Sequence, residues 1–162
     1  MSNTVISKDL ANKKLHVTRT FAAPLEKVWK AWTVSDLLDK WWAPKPWKAV
    51  TKTMDFREGG LWLYYMLGPN GEQFWSRVDI TTVDSQNSFS ATCVFCDENG
   101  NPNEGTPPMH WFNQFKADGE NTIVDVTLSF DTEEGMQQII AMGFEGGFSM
   151  GLDNLEELLA AE

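Results

Sequence analysis

The chain has 162 residues, 42% of them hydrophobic, which fits one domain with a sizeable core. Its 13 Lys and Arg stand against 23 Asp and Glu, and the formal charge of −10 repels phosphate backbones and anionic membrane surfaces. Eight Trp and ten Phe must line something large, either a dense core or a cavity.

Residues 1–12 contain no apolar core of signal-peptide type and read as a flexible lead-in, with a single domain expected over 13–162. No apolar run approaches the ~18 residues of a membrane span, so a cytoplasmic protein without membrane or nucleic-acid partners is expected. LHVTRTF (15–21) reads as a strand by its alternation and β-branched content. Pro24 suits the first turn of a helix in which Leu25, Val28, Trp29 and Trp32 recur at helical spacing. Ser35 suits the cap of a second short helix, SDLLDKWW, stopped by Pro44 and Pro46.

From Lys48 the period changes to two, and six strands follow: VTKTMDF, GLWLYYML, EQFWSRVDITTV, NSFSATCVF, MHWFNQFKA and NTIVDVTLSF. Short turn signals such as G-P-N-G and D-G separate them and favour an antiparallel meander. DENGNPNEGTPP (97–108) reads as a longer loop at one end of the sheet. Thr132-Glu133-Glu134 is a helix start, and one helix of about 28 residues, roughly 42 Å long, is expected from there to the C-terminus.

Cys93 and Cys96 form C-V-F-C, but strand alternation points residues three apart to opposite faces, and no second such pair exists. They read as two unrelated thiols, and neither metal nor cofactor is expected. Gly143, Gly147 and Gly151, four residues apart, fall on one face of the last helix beside Ile140, Phe144 and Phe148. Each glycine costs about 1 kcal/mol relative to Ala in a helix interior. They serve either close packing of the helix on the sheet or the wall of an internal pocket.

VTRTFAAPLEKVWKAWT, LLDKWWAP, DFREGGLW, GPNGEQFW and MGFEGGFSMGLDNLEELL, in that order over about residues 14–161, resemble the START-like (SRPBCC) superfamily. Within it the resemblance is to the activator of Hsp90 ATPase homologue 1-like family. It implies an α+β helix-grip fold: a curved antiparallel sheet of about seven strands around a long C-terminal helix, with two short helices after the first strand. It also implies a deep apolar cavity between sheet and helix. No invariant catalytic motif is carried over.

Parity then assigns the cavity walls. Val124, Val126, Leu128 and Phe130 face the helix. If the D-G turn pairs Ala117 with Thr122, the facing residues of the preceding strand are Phe115, Asn113, Trp111 and Met109. Asn113 would then be a polar group able to orient a ligand. The family pattern places Trp62, Tyr64 and Met66 inward rather than Leu61 and Leu63. Phe74, Ser76, Val78 and Ile80, and Phe89, Ala91, Cys93 and Phe95, complete the inward sets. Trp32, Trp41 and Trp42 close one end. The expected cavity set is Trp32, Trp42, Trp62, Tyr64, Met66, Phe74, Val78, Phe95, Trp111, Asn113, Val126, Phe144, Gly147, Phe148 and Gly151.

The leading functional expectation is binding of a small hydrophobic or aromatic molecule. An enzyme on the same scaffold is the alternative, although no Ser/His/Asp set, HExxH motif or paired inward carboxylates are visible, and only His110 and Asp55 are weak candidates. A co-chaperone of an Hsp90-type ATPase is the third reading. Arg19, Arg57 and Arg77 are the only arginines; Arg57 reads as a local ion pair with Asp55 beside a turn, and Arg77 and Asp79 as outward, solvated residues on one strand face. An exposed sheet edge would allow a homodimer.

Overall fold

A computed structural model describes residues 4–161. Eight strands form one antiparallel sheet: β1 (Val5–Asp9), β2 (Lys14–Phe21), β3 (Lys48–Met54), β4 (Leu61–Leu67), β5 (Gln73–Asp84), β6 (Ser88–Cys96), β7 (Met109–Asp118) and β8 (Asn121–Ser129). Their spatial order is β1-β2-β8-β7-β6-β5-β4-β3. The meander β3 to β8 is thus extended by β2, and β1 and β3 are the edges. Register shifts at Thr51/Thr53 and Ile80/Thr82 are bulges that bend the strands carrying them. Helices α1 (Leu25–Thr33) and α2 (Ser35–Trp41) follow β2, and α3 (Glu133–Ala141) and α4 (Phe144–Ala161) close the chain. This is the helix-grip architecture.

Three expectations need correction. Val5–Asp9 lies in the expected flexible lead-in but forms an eighth strand, paired antiparallel with β2 from Val5↔Thr18 to Asp9↔Lys14. Asp9 closes the turn by accepting from the Asn12 backbone and carboxamide at 3.2 and 2.8 Å, and these bonds hold its carboxyl below the usual range. The single C-terminal helix is two. Gly143 has φ +88°, a left-handed residue that ends α3, and its N–H bonds the Ile140 carbonyl at 3.0 Å. Helix α4 therefore spans 18 residues, roughly 27 Å. Thr132 does cap α3, accepting from Gly135 N at 2.9 Å. Ser35 opens α2 without capping it, the cap position falling on Val34.

The D-G turn fixes the register as expected: Ala117 pairs with Thr122, Asn113 with Val126 and Trp111 with Leu128. Met109, Trp111, Asn113 and Phe115 are buried together with Val124, Val126, Leu128 and Phe130. Helices α1 and α2 pack on α4, and α1 also reaches β7 and β8. Between these layers the rings meet edge to face: Trp29 with Phe115 at 5.1 Å, Trp42 with Trp62 at 5.4 Å, Trp111 with Phe148 at 5.3 Å.

Helix α4 is fixed by two polar anchors. Arg19 on β2 shares the inward parity of Leu15, Val17 and Phe21, and its side chain is only 1% exposed. Its Nη1 meets Asp153 Oδ1 at 2.7 Å and Thr4 Oγ1 at 2.8 Å, and its Nη2 meets Glu156 Oε1 at 3.2 Å. At the other side, buried Asn154 donates Nδ2 to the carbonyls of Ala43 and Trp41 at 3.1 and 3.4 Å. It thereby serves carbonyls that the end of α2 leaves without helical partners.

Candidate functional site: an aromatic chamber between sheet and helix

Alternation along β4 to β7 sends one residue in two toward α4. Helix α4 begins with small and aromatic residues, so the space between the layers is not filled at that end. A chamber of about 260 Å³ results. The strands supply Tyr64, Met66, Phe74, Ser76, Cys93, Phe95, Met109 and Trp111. The helical side supplies Ile139, Met142 and Gly143 at the end of α3, and Phe144, Gly147 and Phe148 on α4, with Trp42 and Pro44 beside them. Phe74 and Met142 are more than half exposed and stand where the chamber meets solvent.

A second, inner chamber of about 30 Å³ adjoins the first. Trp42, Cys93 and Trp111 border both. Trp32, Trp62, Val78 and Asn113 border the inner one, with Phe56 and Phe89 among the remaining walls. Of the residues expected at a cavity from sequence, only Val126 and Gly151 border neither. Val126 is buried in the core as the register partner of Asn113. Ile139, Met142 and Pro44 were not among the expected walls, and Met109, which parity turns inward with Trp111, lies outside the expected cavity set. Met142 and Pro44 reach the chamber only because the helix breaks and the chain after α2 turns back.

The three glycines do three different things. Gly143 supplies the left-handed bend. Gly151 is a packing glycine, because a Cβ there would lie 3.1 Å from the Trp42 carbonyl and 3.4 Å from that of Trp41. Gly147 leaves space, because a Cβ there would meet only Pro44 Cγ, at 3.9 Å. Gly151→Ala is therefore expected to destabilise by about 1–3 kcal/mol, although Ala is the better helix former. Chemical denaturation measures this, and a stabilised variant would contradict the close approach.

No Asp, Glu, Lys, Arg or His borders either chamber among the described residues. The polar groups present are neutral. Tyr64 Oη accepts from Trp42 Nε1 at 2.8 Å, and the Tyr64 ring stacks on Trp62 at 4.1 Å. Burial raises the Tyr64 hydroxyl far above its ordinary value, chiefly by desolvation. Desolvation likewise pushes the Cys93 thiol up to about 12 from 9.0. Below pH 9 the folded and unfolded chains both hold that proton. Between about 9 and about 12 the unfolded chain loses it while the native chain keeps it, so stability should fall as pH rises. Iodoacetamide should accordingly label Cys93 in the folded protein far more slowly than in urea, which peptide mapping would read; equal rates would contradict its burial.

Trp32 Nε1, Trp111 Nε1 and Asn113 Oδ1 are buried without a hydrogen-bond partner. Cys93 and Cys96 are both free thiols. Among the described residues no cluster of His, Cys, Asp and Glu could hold a metal. The two weak catalytic candidates lie elsewhere. His110 Nε2 faces Asp131 Oδ1 at 2.9 Å, and Asp55 Oδ2 accepts from Arg57 Nε at 2.8 Å; neither residue borders a chamber. Among the described residues no helix is long and apolar enough to cross a membrane.

The model of a family described as Activator of Hsp90 ATPase homolog 1-like protein matches residues 22–160. None of the curated proteins matches. Among solved structures, the crystal structure of protein Ms6760 from Mycobacterium smegmatis is 32% identical with TM-score 0.90, covering 98% of each chain. A solution NMR structure of an Arthrobacter aurescens protein is 26% identical with TM-score 0.92, covering 98% of this chain and 92% of that one. Another, from Staphylococcus epidermidis, is 29% identical with TM-score 0.84, covering 97% and 94%.

Proposed function

The chain belongs to the activator of Hsp90 ATPase homolog 1-like family, and from that premise we propose that it binds a small hydrophobic or aromatic molecule in the larger chamber. The observation that carries this reading is a space of about 260 Å³ walled by aromatic and aliphatic side chains, with no charged group on it. An apolar chamber of about 150 Å³ accommodates benzene, so this one suits a body of about ten non-hydrogen atoms. Burial of such a body supplies the favourable free energy, at about 25 cal/mol per Å² of apolar surface removed from water.

Binding is a better account than turnover of a substrate. The titratable groups on the walls, Tyr64 and Cys93, are both held protonated by burial, so neither is poised as a base near neutral pH. The Hsp90-directed reading rests on the family description alone. A cytoplasmic location is part of the proposal, and the two free thiols suit a reducing compartment.

Trp42 and Trp111 on the chamber walls make fluorescence the test. Titration with one- and two-ring aromatic compounds is expected to quench emission saturably, at one site per chain. A folded protein showing no saturable change with any compound would refute the reading.

A further inference from the structure

Three residues that border the inner chamber each carry a buried polar atom without a partner: the acceptor Asn113 Oδ1 and the indole donors Trp32 Nε1 and Trp111 Nε1. Leaving such a group unsatisfied is costly, and folded proteins keep few of them. Here three belong to residues that line one small space. Trp111 and Asn113 are two residues apart on β7, so they stand on the same face about 7 Å from one another. Trp111 also borders the larger chamber, so its ring belongs to the partition between the two.

One acceptor and two donors are the complement of a hydroxyl, which gives one proton and has two lone pairs. The inner chamber, at about 30 Å³, holds an oxygen-sized group and little more. A carboxylate or an ammonium group would enter without any counter-charge on the walls, which strongly disfavours it. We propose that the inner chamber is the polar subsite of the ligand site. It takes a single neutral hydroxyl, of phenol or alcohol type, on a molecule whose apolar body fills the larger chamber. This inference rests on the binding reading above and narrows its ligand class.

The test compares β-naphthol with naphthalene, which differ by that one group, using calorimetry and tryptophan quenching on the full chain. Wild-type protein should prefer β-naphthol by about fivefold or more, the range of one net hydrogen bond. Trp111→Phe, which keeps an aromatic ring at that position but removes the N–H, should move the ratio toward one. Asn113→Leu should do the same; if it fails to fold, Trp111→Phe and the wild-type ratio still decide. Equal or weaker binding of β-naphthol by the wild type would overturn the hydroxyl subsite while leaving the binding reading intact. That result is expected if the three polar atoms are served by a retained water. Binding of neither compound, with the panel above also silent, would overturn the binding reading and the subsite together.

Discussion

Gly147→Leu is expected to raise stability by about 1 kcal/mol and to weaken binding of any chamber ligand by about a hundredfold or more. The two effects have one cause. A Cβ at Gly147 meets only Pro44 Cγ at 3.9 Å, so the first carbon of a side chain there displaces nothing. The side chain grows instead into the space between α4 and the sheet, beside Phe144 and Phe148. Leu is close to the best helix formers, whereas Gly is about 1 kcal/mol worse, so α4 gains. The added carbons also bury apolar surface at about 25 cal/mol per Å². The ligand loses the volume they occupy. Denaturation midpoints and titrations on the same preparation separate the outcomes. A destabilised variant would mean the space is already filled; a stabilised variant that binds normally would place the ligand elsewhere. Gly151→Ala, on the same helix, is the internal comparison, since its Cβ crowds the Trp42 and Trp41 carbonyls.

Removing the acids around Arg19 should have the largest cost to stability. Asp153→Asn combined with Glu156→Gln leaves a guanidinium, 1% exposed, without either carboxylate. Breaking a buried pair from one side typically costs 3–5 kcal/mol; the two acids here are about half exposed, so about 3 kcal/mol is expected. Thr4 Oγ1 at 2.8 Å and the Phe21 ring at 5.5 Å remain as partners. Glu26→Gln removes the surface pair with Lys30 and should change stability by less than about 0.5 kcal/mol. Urea unfolding of the three proteins reads both. A loss under about 1 kcal/mol in the double variant would mean the guanidinium is hydrated and α4 is held by packing alone.

The inward parity of the strands was legible in the sequence because the Asp118-Gly119 turn sets the β7–β8 register and each side chain follows from it. The strand β1 was not. An edge strand of mostly exposed residues has no alternation to detect, and its partner is fixed by backbone bonds to β2. The helix break was hidden for another reason. Gly143, Gly147 and Gly151 share one helical spacing, and only the backbone shows that the first bends the chain, the second leaves space and the third lets α2 approach.

Arg19 shows the limit more sharply. An arginine in an alternating strand reads as exposed by type, and its acids lie more than 130 residues away in sequence. Asn113 was found by parity, but parity could not tell that it borders the inner chamber rather than the larger one. Phe74 follows the inward alternation, yet it is 59% exposed because the sheet ends at the chamber mouth.

A crystal structure of the protein grown with β-naphthol tests the central claim most directly. The account predicts ring density between Phe148 and the Tyr64–Phe95 side of the sheet, with the hydroxyl directed toward Trp111. Aromatic side chains closed together across that space, with the compound absent from it, would contradict the account.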